Sequence, residues 1–227
     1  MATNFPASLD SLTNPTSSDS LNSPSHSAQH ANVNDAVEAL QAKVGADSSA
    51  ATSSLDYKVA QLEAISHGKI LQVVSTTKTD TFSASVAAQT FTNVTGLSLT
   101  ITPLSTSSTI LLYGSVNGSF NLSSSLPYSA WRFTRGGSAI GVGDTDGSRS
   151  SITAMSVAGG TTYVGQGNAA MLYLDSPATT SATTYAIDAL NFDTTTRTIW
   201  VNRPAADSNS GTYTRAISTI IALEVAA

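Results

Sequence analysis

Apolar residues in this chain follow two different periods, and the change from one to the other divides it. Val33, Val37, Leu40 and Val44 recur at steps of four, three and four, the a/d alternation of a heptad seam. Ser23 and Pro24 read as the N-cap and first position of that helix, and Gly45 as its stop. The stripe is narrow, with Asn34, Asp35, Glu38, Gln41 and Lys43 beside it. A stripe this thin predicts helix-to-helix pairing rather than docking on a broad sheet. After the polar stretch 46–54, Leu55, Val59 and Leu62 begin a second heptad-like run in a different register. The pattern predicts two short helices, or one with a skip, in a neck spanning 25–68. So short a coil needs a neighbouring domain that already self-associates.

From residue 69 onward the period becomes two. Strand-like runs fall at 69–75, 97–102, 109–116, 128–135, 169–175, 183–192, 197–203 and 214–225. Leu97, Leu99 and Ile101 alternate cleanly with polar neighbours. Runs rich in Gly, Asn, Ser and Pro separate the strands, and no helical pattern intervenes. This predicts a mainly β chain whose segment 69–227 is an antiparallel two-sheet sandwich or jelly roll. The strong closing run "STIIALEV" predicts a central strand.

Residues 1–24 fit neither period. Pro6, Pro15 and Pro24 stand among Ser, Thr, Asn and Asp, with Phe5, Leu9 and Leu12 as scattered apolar anchors. Such a segment builds no core of its own and reads as an extended arm that orders on another protein.

Composition narrows the function classes. Charged residues are 11% of the chain, about half the usual share, and the net charge is −5. Hydroxyl side chains supply the polarity instead. Residues 1–68 carry seven acids and two bases, while the rest is balanced. No basic stripe supports nucleic-acid binding. No apolar run reaches the ~20 residues of a membrane span, and the first residues predict no secretory leader. Cysteine is absent, so disulfides, thiolate catalysis and Cys-ligated zinc are excluded.

Candidate chemistry is sparse. The glycine-rich 135–149 segment holds Asp144 and Asp146, but it lacks the strand–helix setting and Lys-Ser/Thr ending of a phosphate loop. It also lacks the downstream Glu of a calcium loop, and it reads as an exposed loop with hairpin turns. Asp175, Asp188, Asp193 and Asp207 are the carboxylates available for glycan hydrolysis, without a spacing that pairs them. All three histidines precede the first strand-like run, which leaves a Ser-His-Asp site there without a base. His26 and His30, four apart at coil positions d and a, have a spacing that can bind metal; the simpler role is solvating the helix start. Trp131, Trp200, Tyr128 and Tyr213 read as core aromatics, with a sugar-stacking face as the alternative. The reading is therefore of a protein that is not an enzyme, with no catalytic residue, cofactor or metal.

The motifs F-P-x-S-L-D-S at 5–11, S-P-S-H at 23–26 and H-A-N-V-N-D-A-V-E-A-L at 30–40 resemble the N-terminal part of tailed-bacteriophage fibre and minor tail proteins. The ending R-x-x-S-T-I-I-A-L-E-V at 215–225 looks like the C-terminal β-sandwich domains of phage structural proteins, similar in plan to C1q/TNF-like jelly rolls. The resemblance implies a homotrimeric tail fibre located on the virion. In it, 1–24 docks on another virion protein through Phe5, Leu9 and Leu12. Val33, Val37, Leu40, Val44, Leu55, Val59 and Leu62 then form the coil interface. A distal knob, 69–227, contacts host surface glycan through a loop containing Gly141, Asp144, Asp146 and Arg149. Neither nucleic acid nor membrane is an expected partner. Val at a with Leu at d leans toward two strands, whereas the resemblance implies three, with the β domain setting the copy number. A capsid decoration or head-fibre protein is the second reading, and a virion glycan-degrading enzyme is the third.

Overall fold

The computed structural model describes residues 18, 22, 25–64, 68–120, 128–157 and 165–227. The arm anchors Phe5, Leu9 and Leu12, and the helix start expected at Ser23 and Pro24, lie outside the described residues. The chain divides into two compact units, Met1–Ser66 and His67–Ala227.

In the first unit, α1 runs His26–Val44 and α2 Leu55–Ala64. Two helices form rather than one because Gly45, at φ +90°, turns the chain out of α1. Ser25 is the N-cap of α1, accepting from the Ala28 N–H at 3.3 Å. The 45–54 connection is closed by its own bonds. Ser54 is fully buried and caps α2 by accepting from the Tyr57 N–H, while its hydroxyl donates to the Ala51 carbonyl. The Ser49 N–H donates to the Asp56 carboxylate at 2.8 Å.

The second unit is mainly β, with antiparallel sheets arranged as a sandwich around one core. Its strands are β1 (Ile70–Lys78), β2 (Phe82–Val86), β3 (Thr90–Ile101), β4 (Thr109–Phe120), β5 (Tyr128–Arg135) and β6 (Ser138–Ile140). They continue with β7 (Ala154–Val157), β8 (Gly167–Asp175), β9 (Thr183–Asn191), β10 (Arg197–Val201) and β11 (Ser218–Val225). One sheet has the order β1-β11-β4-β10-β2, with β8 on the other edge of β4; the second is β3-β9-β5-β6, with β7 also on β5.

The pairings simplify this list. On one edge of β4, residues 109–115 face β11 and 118–120 face β10. β10 and β11 therefore form one strand line, broken by the excursion 202–217. β1 and β2 form a second line broken at the same level, since Lys78 pairs with Ser218 and Phe82 with Val201. β6 and β7 share one edge of β5 in the same way. Each sheet is thus four lines wide: β1/β2, β10/β11, β4 and β8 in the first, and β3, β9, β5 and β6/β7 in the second. β11 lies between β1 and β4, the central place predicted for it.

Eight strand-like runs correspond to strands, while β2, β6 and β7 were not expected. Each of these is half of an interrupted line, too short to show a period. β6 arises inside the glycine-rich segment because Gly136 and Gly137 both hold positive φ (+55° and +83°), as a two-residue hairpin turn requires.

Inward-facing residues of both sheets fill the core, with Trp131, Phe133, Tyr185 and Ile187 opposite Ile110, Leu112, Val116 and Ile220, all fully buried. The Trp131 ring lies against the backbone of Gly118, where a Cβ would be 2.2 Å from it. Gly118→Ala is expected to destabilise the protein by about 2 kcal/mol through overpacking. Urea unfolding checks this, and a variant as stable as the parent would show that the ring has room to move.

Two buried asparagines close the places where the ladder breaks. Asn191, fully buried, donates to the carbonyls of Val86, Ala87 and Thr195 and accepts from the Asp193 N–H. Asn202 pins the level where both strand lines of the first sheet are interrupted. Its amide donates to the Lys78 and Asp80 carbonyls at 2.9 Å, and it accepts from the Ser218 hydroxyl at 2.6 Å. Its backbone is left-handed, at φ +62°.

Candidate interaction surfaces

The apolar side chains of the heptad stripe are largely exposed. Val33, Val37, Leu40 and Val44 of α1 are 46–52% exposed, and Leu55, Val59 and Leu62 of α2 are 49–70% exposed. No residue of either helix is buried. Helices this short draw their stability from burying an apolar face, and this face stays about half exposed or more.

His26 and His30 stand at the start of α1, their Nε2 atoms 3.0 Å apart and the rings edge-to-face. One imidazole therefore donates to the other. The pair supplies two potential ligands, and among the described residues no group of three His, Cys, Asp or Glu converges. His67 lies outside the described residues.

The glycine-rich loop continues beyond β6 as a segment fastened to itself. The Gly143 N–H donates to the Ile152 carbonyl, and the Ser151 hydroxyl to the Asp144 carbonyl. Asp146 and Arg149 are both largely exposed and pair with each other at 2.7 Å, a contact of small energetic weight. Gly141 sits against the Tyr173 ring, within 2.5 Å of where a Cβ would be. The four contact-loop residues are thus brought to one surface loop. Asp146 and Arg149 face each other there, and the turn glycines shape a hairpin instead of cradling phosphate.

The four carboxylates considered for hydrolysis are each engaged by arginine. Asp175 takes the Arg135 guanidinium at 2.8 Å and the Tyr185 hydroxyl at 2.6 Å. Burial and that bond to the carboxylate push the Tyr185 phenol well above its ordinary value. Asp188 accepts from Arg132, whose guanidinium lies 3.5 Å over the Phe91 ring. Arg197 and Arg215 hold the Asp193 and Asp207 carboxyls below the usual range. That is the opposite direction from a general acid, whose pKa must be raised.

The aromatics divide. Trp131 is fully buried, its indole N–H directed at the Ser156 hydroxyl. It is therefore core and offers no face to a sugar. Trp200, Tyr128 and Tyr213 are half-buried.

Two features were not anticipated from sequence. One is the buried polar set formed by Asn191, Asn202 and Glu224. The other is the outward side of the first sheet, where apolar residues of four strand lines come together. Among the described residues, no helix is long and apolar enough to cross a membrane. No protein-family model matches the chain, and comparison with curated proteins finds no match.

Proposed function

We propose that the chain is a structural virion protein of a tailed phage, a homotrimeric tail fibre made of a docking arm, a short coiled neck and a jelly-roll head. The observation that carries the reading is the bare heptad stripe of α1 and α2. Seven apolar residues, each about half exposed or more, recur at coil spacing on helices that bury nothing. Copies of the same chain supply the cover that such helices need.

The sandwich supports the head. The order β1/β2, β10/β11, β4, β8 against β3, β9, β5, β6/β7, two antiparallel sheets of four lines each, supports a jelly-roll reading of that head. A head of this kind presents its connecting loops at the ends of the sandwich, and the 141–149 loop is the one proposed to meet host surface glycan. The arm, 1–24, is proposed to attach the fibre to another virion protein. The arginine-held carboxylates favour a binding and structural role over glycan hydrolysis.

Labelling intact particles with gold-conjugated antibody to the full chain tests the location. Label along the tail is the expected result. Label spread over the capsid would replace the fibre by a capsid decoration or head-fibre protein, and no label on purified particles would overturn the virion reading.

A further inference from the structure

The pairing register places outward side chains of the first sheet in rows. Val73, Leu223, Leu111 and Leu174 stand side by side across β1, β11, β4 and β8. The adjacent row reads Ser75, Ile221, Tyr113 and Leu172. Val73, Leu172 and Leu174 are 55–66% exposed, and Tyr113, near the centre, is 39% exposed. No outward position of these four strands carries a charge. The second sheet contrasts with this. Its outer side is crossed by the Arg132–Asp188 ion pair, with Asn93 donating to the same carboxylate, and by the threonine pair Thr100 and Thr184.

We infer that the outward face of the first sheet is the principal interface between copies of this chain; the inference rests on the homo-oligomeric reading above. The partner is a second copy for two reasons. A face without charge offers nothing for a charged partner to select, and copies of it gathered about a common axis meet without like-charge repulsion. The chain also carries a second bare apolar surface, the helical stripe, and another copy of the same chain supplies partners for both. Extent fits as well. Four strand lines span about 19 Å and the outward run of β4 about 26 Å. That is about 500 Å² in plane, which side-chain relief enlarges toward the ~800 Å² per partner of a standard stable interface. The coil then adds to an association that the sheet face holds on its own.

The test uses the full chain. Wild type, the face variant Leu172→Arg with Val73→Asp, and the coil variant Val37→Asp with Leu40→Asp are compared by sedimentation over a range of concentrations. The face variant is expected to self-associate on the order of 100-fold more weakly, because it places unpaired charge in a desolvated contact. The coil variant is expected to keep the wild-type mass. A face variant that retains the wild-type mass overturns the inference. A monomeric wild type overturns the homo-oligomeric reading itself, and the inference with it.

Because the chain has no cysteine, a single one reports the face without disturbing assembly. In the oligomer, Leu172→Cys is expected to react with a maleimide dye at least about ten-fold more slowly than Ser138→Cys on the second sheet. Equal rates in an intact oligomer would likewise overturn the assignment.

Discussion

Replacing Asn202 by alanine is expected to destabilise the protein by about 4 kcal/mol, the largest effect of any single substitution considered. Asn202 stands where both interrupted strand lines of the first sheet lose their ladder partners. Its amide N–H groups satisfy the Lys78 and Asp80 carbonyls, and its oxygen accepts from Ser218. The Ser218 hydroxyl also accepts from the Asn117 N–H at 3.0 Å, so the chain of bonds reaches β4. Alanine removes three bonds at a fully buried residue, at about 1 kcal/mol each, and adds about 1 kcal/mol for a left-handed backbone that asparagine tolerates better.

Asn202→Gly separates the two contributions. Glycine accepts φ +62° without strain, so it is expected to recover only the backbone part and remain about 3 kcal/mol below the parent. Urea unfolding followed by tryptophan fluorescence reads both variants. An alanine variant within about 1 kcal/mol of wild type would mean that water replaces the amide and that the pin is not structural.

The same residue shows what could be read from sequence and what could not. Period-two alternation located Leu97–Ile101 and the 218–225 strand because both alternate over enough residues to reveal a phase. It failed for β2, β6 and β7, since an interrupted line needs only a few pairs from each half. It also carried the β10 run past its end, to 203, because "RTIWVNR" reads as continuous strand, and began the β11 run at 214, four residues early. The chain leaves the ladder at Asn202, and an asparagine followed by Arg-Pro is the available signal. The helical stripe was legible because its members lie within a few residues of one another. The outward face of the first sheet was not legible, because Val73, Leu111, Leu174 and Leu223 become neighbours only once four distant strands are placed in register.

Glu224 carries the second large effect, and its sign with pH follows from where it sits. Ile220, Ala222 and Glu224 share the inward phase of β11, and all three are fully buried. A carboxylate in that phase must find donors. Gln72 supplies its side-chain amide at 2.6 Å, and Leu104 its backbone N–H at 2.7 Å. Burial works to raise this carboxyl, yet the hydrogen bonds, led by that from Gln72, outweigh it and leave Glu224 below its usual value. A group depressed in the folded state adds stability above its unfolded pKa of about 4.3, and that stability is lost as pH falls through the folded value. Glu224→Gln is therefore expected to cost about 2–3 kcal/mol at pH 7, because the two donors address different oxygens and the amide sets an NH2 donor against one of them. The gap should narrow as pH falls below the unfolded value of about 4.3, where proton uptake begins to favour the unfolded chain, and close further once the folded carboxylate is protonated and loses the same bonds. Urea titrations at pH 7, 5 and 3.5 measure it. A gap that stays constant across those three values would mean that packing of the side chain, rather than its charge, holds the end of β11 to the 102–108 connection.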